Sequence, residues 1–260
     1  MRVAAIYDIH GNLPALDAVL QDIEREQPDL IVVGGDVASG PLPRATVERL
    51  MLLGDRARFI CGNADRELVA CFDGGAINPR LPDAAQETTQ WAAGQLKRLH
   101  RDFLAQFPAH VSVAVDGLGD ILFCHGSPRS DEEILTVATP DGRAREALAG
   151  VAQRVVVCGH THMQFDRCVG AVRVVNAGSV GMPYGEPGAY WLLLGPGVEL
   201  RRTPYDLNMA ATVIRASGDP MAADFAANNV LAPPTAAEAI AVFEGMASQR
   251  LLTMDPDVSW

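Results

Sequence analysis

At 260 residues, 48% of them apolar and 20% charged, the chain is long enough to bury a sizeable core and has an ordinary soluble-globular composition. Its net charge of −11 argues against a dedicated surface for duplex nucleic acid or anionic membrane, since both select for basic patches. No apolar run approaches the roughly 20 residues of a bilayer span, and the stretch Met1–Asp8 is too short and too soon charged for a signal peptide. A cytoplasmic protein is expected, with no membrane partner and an oligomeric state that the sequence leaves open. Five cysteines, three of them (Cys61, Cys124, Cys158) in apolar strand-like runs, read as buried thiols of a reducing compartment.

In chain order, Val3–Tyr7 reads as a strand and 13–25 as a helix that Asn12 caps. Leu30–Val33 is a second strand, 43–53 a helix, and 58–61 a third strand. This alternation implies a parallel sheet covered by helices. Residues 84–107 are helical, with a break expected near His100. Short β-rich runs follow at 110–115 and 120–124, around the hairpin signal Asp116-Gly117. A helix at 141–149 stops at Gly150. Five more strands are expected at 155–158, 164–168, 172–176, 189–194 and 198–202, giving the second half a more antiparallel sheet. The expected whole is an α/β, four-layer α-β-β-α sandwich of two mixed sheets over residues 1–205. A C-terminal helical extension, residues 206–260, packs on the same domain as support or lid. Its helices are placed at 207–216, 221–228 and after Pro233-Pro234, where Thr235 and Glu238 have capping-box spacing. Residues 255–260 are expected to be disordered.

Nearly every core strand runs into metal-ligand residue types beside glycine. The endings are Asp8-Ile9-His10-Gly11, Gly34-Gly35-Asp36, Gly62-Asn63-Ala64-Asp65, His125-Gly126 and Gly159-His160-Thr161-His162. Ligands gather at the carboxyl ends of parallel strands, and glycine lets the backbone turn sharply there. Each motif alone is weak: a strand-end aspartate is commonly a helix cap, and His100 and His110 read as ordinary core or surface residues. Jointly they are specific, because four of the six histidines fall in such motifs. Imidazoles, carboxylates and an amide without a motif cysteine suit first-row divalent ions. Seven ligands exceed one tetrahedral zinc but serve two ions if a carboxylate bridges.

In this order the motifs resemble the calcineurin-like metallophosphoesterase superfamily, over roughly residues 2 to 203, and in particular its small bacterial phosphodiesterase and diadenosine tetraphosphate hydrolase-like branch. Asn176-Ala177-Gly178-Ser179-Val180-Gly181 also resembles a segment of that branch. The resemblance implies that Asp8, His10 and His162 hold one ion, Asp36 bridges, and Asn63, His125 and His160 hold the second. Manganese is the expected metal, with iron, zinc, nickel or cobalt as alternatives. The implied activity is hydrolysis of a phosphodiester or phosphoanhydride in a small, nucleotide-type substrate, by a water activated between two ions. Asp36, Asn63 and Asp65 are the catalytic candidates. Asp65 either orients a ligand histidine or caps a helix. Arg66, Arg129 and Tyr184 are candidates to grip phosphates or stack on a base. Many family members carry histidine where this chain has Ala64, so leaving groups that need no protonation are expected. A protein phosphatase and a non-catalytic scaffold are the rival readings; a scaffold should show lost ligands, and all seven positions are filled.

Overall fold

The computed structural model describes residues 1–79 and 81–253, with side chains as far as Gln249. The expected disorder at 255–260 lies outside the described residues. Among them, two five-stranded sheets form the centre, in the strand orders β10-β9-β1-β2-β3 and β4-β5-β6-β8-β7. The first holds β1 (Val3–Ile6), β2 (Leu30–Val33), β3 (Ala57–Phe59), β9 (Ala189–Leu194) and β10 (Val198–Thr203). The second holds β4 (His110–Val115), β5 (Gly119–Cys124), β6 (Val155–Cys158), β7 (Phe165–Val169) and β8 (Val172–Asn176). Each sheet has a parallel core: β1, β2 and β3 in one, β5, β6 and β8 in the other.

Residue alternation explains the layering. Val3, Ala5 and Tyr7 point between the sheets, where they meet Ile121, Phe123, Val155, Val157 and Val175. Ala4 and Ile6 point the other way, onto Leu16, Val19 and Ile23 of α1 (Leu13–Glu26) and Val47 and Leu50 of α2 (Pro43–Met51). Both faces of β1 are dry, so its run Val-Ala-Ala-Ile is apolar throughout. Asn12 caps α1 as expected, its side chain accepting from the Ala15 N–H. On the second sheet's outer face, Ala144 and Ala147 of α6 (Asp141–Ala147) pack on Leu122, Val156 and Val174.

Several local expectations need correction. The second half does not build one antiparallel sheet: β9 and β10 cross to the first sheet, where β9 pairs with β1. A helix absent from the sequence reading, α3 (Asn63–Phe72), starts at Asn63 itself. The later helical run breaks near His100 as expected, at Leu96–Lys97 between α4 (Asp83–Gln95) and α5 (Arg98–Leu104). His100 caps α5, its Nδ1 accepting the Lys97 N–H. The expected helix at 221–228 is α8 (Ala222–Phe225) followed by a π-turn at 226–231, after α7 (Leu207–Arg215). Cys124 and Cys158 are buried, Cys61 is only half-buried, and all five thiols are free.

The C-terminal segments pack on the sandwich at several points. Ala210, Ile214, Phe225 and Val230 enclose Met182 and Tyr205. The last helix, α9 (Ala236–Thr253), opens with the capping box, Thr235 N–H donating to Glu238 and Glu238 N–H to Thr235. Further along the helix, Glu244 accepts from Thr136, Thr139 and Arg143, fastening α9 to the β5–α6 connection. No helix among the described residues is long and apolar enough to cross a membrane.

Candidate metal centre

The backbone at the strand ends is unusual in one respect. Among the described residues six non-glycine ones have left-handed φ, and five of them are Asp8, His10, Asp36, His160 and His162. That conformation costs of order 1–3 kcal/mol per residue unless its surroundings impose it. Here they do: the ladder continues beyond the strands through Asp8 N–H to Gly35 O (3.1 Å), His10 N–H to Asp36 O (2.9 Å) and Gly159 N–H to His125 O (2.8 Å). The loops are so closely laced that a Cβ on Gly181 would sit 1.8 Å from the Ile9 carbonyl oxygen.

Two clusters result, Asp8–His10–His162 and Asp36–His125–His160, and within each cluster the ligand-type atoms all lie within 4.8 Å of one another. Each carboxylate spends one oxygen on a backbone N–H and turns the other to the imidazoles. Asp8 Oδ2 accepts from His160 N–H at 3.0 Å, and Asp36 Oδ1 from Ala64 N–H at 2.8 Å. Asp36 Oδ2 then stands 3.7 Å from His10 Nε2 and 3.4 Å from His125 Nε2, between the clusters. Asp8 Oδ1 is 3.3 Å from His162 Nε2. Three rings face backbone carbonyls through Nδ1: His125 to Gly34 O (2.8 Å), His162 to Met182 O (2.8 Å) and His10 to Ser39 O (3.2 Å). Those contacts keep the Nδ1 proton on the carbonyl side, so that in the neutral ring the Nε2 lone pair is presented to the site.

The residues fit a metal. Asp8 Oδ1, Asn63 Oδ1 and His125 Nε2 are buried with no hydrogen-bond partner, a cost of about 1–3 kcal/mol each that a cation removes. Nε2 of His10 and His162 lie only 3.2 Å apart. Atoms that ligate one ion at about 2.1 Å stand roughly 3.0–3.5 Å from each other. No cysteine enters either cluster, so the donors are imidazole and oxygen, as first-row divalent ions prefer.

Protons compete for these donors. Burial works against a charged His125, but the carboxylates of Asp36 and Asp8 outweigh it and push the imidazole up to about 10. Burial and the neighbouring His125 take His160 down to about 4. Asp36, despite its burial, is held well below the usual carboxylate range by His125 and His10. At neutral pH His125 therefore carries a proton that an incoming ion must expel, while His160 does not. Metal affinity is expected to rise with pH through neutrality. Calorimetry in buffers of different ionisation enthalpy should show proton release, and a binding heat independent of buffer would contradict it.

Of the two readings of Asp65, the hydrogen bonds are those of the cap. Its carboxylate, fully buried at N3 of α3, accepts from Gly62, Asp36 and Val37 N–H groups at 3.0, 2.8 and 2.9 Å. It thus ties the Asp36 loop to the helix that starts with Asn63. The three candidates for substrate contact differ. Arg66 is bound by Asp131, Glu132 and Glu67, and Arg129 by Glu133, so either guanidinium would have to break ion pairs to reach a phosphate. Tyr184 lies at the site: its ring stacks on His162 at 5.8 Å and meets Phe243 of α9 edge-on at 6.0 Å. The sequence reading missed Ser179 and Met182 as site-building residues, although the Asn176–Gly181 segment had been singled out.

Two mixed sheets between helix layers, with imidazoles and carboxylates brought to one edge, define an α/β protein with a candidate metal centre. The family model for the calcineurin-like phosphoesterase superfamily domain matches residues 1–194. The chain belongs to that superfamily of metal-dependent phosphoesterases. A symmetrical bis(5'-nucleosyl)-tetraphosphatase of Janthinobacterium sp. (strain Marseille) is 39% identical over 91 residues, 34% of this chain and 32% of that protein. The match thus spans about a third of the relative's length. Among solved structures, a metallophosphoesterase from Sphaerobacter thermophilus aligns with TM-score 0.67 and 27% identity, over 88% of this chain and 99% of that one. A hypothetical protein of Pyrococcus horikoshii OT3 aligns with TM-score 0.77 over 90% of this chain and 99% of that one, and at 20% identity it speaks for the fold alone.

Proposed function

We infer that the chain is a dinuclear phosphoesterase that cleaves phosphodiester or phosphoanhydride bonds in a small, nucleotide-type substrate. The observation that carries this is the pair of facing clusters with Asp36 Oδ2 between them and three buried donor atoms left without partners. Asp8, His10 and His162 would hold one ion, Asn63, His125 and His160 the other, and Asp36 both. Two divalent ions, manganese first among them, would supply an activated water and neutralise charge on the phosphoryl oxygens. The chain's own part is orientation. Gly34 and Met182 carbonyls aim His125 and His162, the Asp65 carboxylate sets the Asp36 and Asn63 loops, and the Asn63 amide can donate to a phosphoryl oxygen through its other atom. Tyr184, stacked on His162, is the proposed contact for a base. The tetraphosphatase relative favours nucleotides, with dinucleoside polyphosphates as the first substrates to screen.

The direct test is hydrolysis of bis(p-nitrophenyl) phosphate by metal-stripped protein resupplied with manganese, beside His162→Ala and Asn63→Ala. Metal-dependent turnover lost in both variants supports the reading; no turnover with any first-row divalent ion returns the scaffold reading.

The Ala64 side chain offers no proton donor, and its N–H is used by Asp36. Ala64→His is therefore expected to raise turnover of diesters with poor leaving groups, by up to the roughly 10²–10⁴-fold that general acids contribute. Good leaving groups should gain little. An effect equal across a leaving-group series would remove leaving-group protonation from the account.

A further inference from the structure

The parallel cores of the two sheets have six strands, and five of them end in ligand candidates. The sixth, β8, ends in Asn176-Ala177-Gly178-Ser179-Val180-Gly181, which contributes no ligand but touches both ends of one cluster. Ser179 is fully buried. Its hydroxyl donates to the Asp8 carbonyl at 2.7 Å and accepts the Met182 N–H at 2.7 Å. The Met182 carbonyl in turn accepts from His162 Nδ1 at 2.8 Å. One hydroxyl thus holds the left-handed backbone of Asp8 and, through the backbone of one residue, Met182, the tautomer and direction of His162. The other cluster has fastenings of its own in Asp65 and the Gly34 carbonyl, and meets this one where His160 N–H donates to Asp8 Oδ2 at 3.0 Å.

We propose that Ser179 is the positioning residue for the Asp8–His10–His162 half of the centre, so that its hydroxyl supports the ion held there and not the ion held by the other half. The inference rests on the two-ion reading above. Removing the hydroxyl frees the Asp8 carbonyl from one of its two donors, the other being Gly181 N–H at 3.0 Å. It also unpins Met182, so His162 loses a fixed acceptor while its own atoms stay in place. Partners of this kind typically change metal affinity about 10–100-fold when removed.

The test is stepwise calorimetric titration of the metal-stripped full chain with manganese, comparing wild type, Ser179→Ala, Ser179→Thr and His10→Ala. The His10→Ala titration identifies the step that belongs to the Asp8 half. Ser179→Ala is expected to weaken that step about 10–100-fold and leave the other within about threefold. Ser179→Thr, which keeps the hydroxyl, should recover most of the loss. Nitrogen NMR of the metal-free protein should show His162 passing from one tautomer to a mixture in Ser179→Ala. If that variant does not fold, Ser179→Cys, a near-isosteric weak donor, takes its place with the same expectation. Two steps unchanged, two steps weakened alike, or no recovery with threonine overturns the proposal. A wild-type chain that binds fewer than two ions overturns the two-ion reading itself, and this inference with it.

Discussion

Asp36→Asn is expected to lower metal-dependent diester hydrolysis by about 10³-fold or more, since several kcal/mol of charge stabilisation depends on the bridging group. The substitution is nearly isosteric, and the carbamoyl oxygen can still accept the Ala64 N–H that Asp36 Oδ1 accepts now. What disappears is the charge that faces His125 and His10. The metal-free fold should lose stability at neutral pH, because a carboxylate held well below its usual range by His125 and His10 stabilises the folded state and the amide does not. His125 supplies a second readout: without the Asp36 charge its imidazole should titrate well below the value of about 10 that the carboxylates impose. Turnover within tenfold of wild type, in protein shown to carry its ions, would falsify the bridging role.

Asp65→Ala is expected to act on stability. Gly62, Asp36 and Val37 N–H groups would all lose their acceptor in a buried position. At about 1–3 kcal/mol for each stranded donor, the loss should be at least ~3 kcal/mol, read as a lower urea midpoint in the metal-free protein. Activity should fall too, as a consequence of loosened Asp36 and Asn63 loops. The outcome that would return Asp65 to the chemistry is lost turnover with an unchanged midpoint. Asp65→Asn offers a graded comparison, since it keeps an acceptor but cannot satisfy all three donors as well.

Much of this molecule is legible in its sequence because strong local signals coincide with the fold. The apolar runs that became β1, β2, β6, β8 and β9 are bounded by glycine or charge, and Asn12 and the Thr235–Glu238 pair mark helix starts that exist. The metal-ligand motifs were visible for a chemical reason. A parallel strand delivers its carboxyl-terminal residues to a common edge, so Asp8, Asp36, His125 and His160 announce themselves by following β-like runs. Asn63 was found the same way, but α3 was not. The three residues of β3 and the glycine at the turn hid a helix that Leu68, Val69 and Phe72 signal by their spacing.

What the sequence by itself determined is the chemistry on offer: which side chains can bind a cation, and that they stand at strand ends. Tertiary structure alone decided their use. Local pattern could not say that β9 and β10 join β1 across the chain, since strand pairing at that separation leaves no periodic trace. Nor could it show that Arg66 and Arg129 meet acidic partners or that Asp65 serves three backbone donors. It could not show that Ser179, on the one parallel-strand end without a ligand, reaches Asp8 across 171 positions. Composition and periodicity report what a residue can do, whereas contacts between distant segments fix which neighbour it does it with, and only the packed sandwich supplies those.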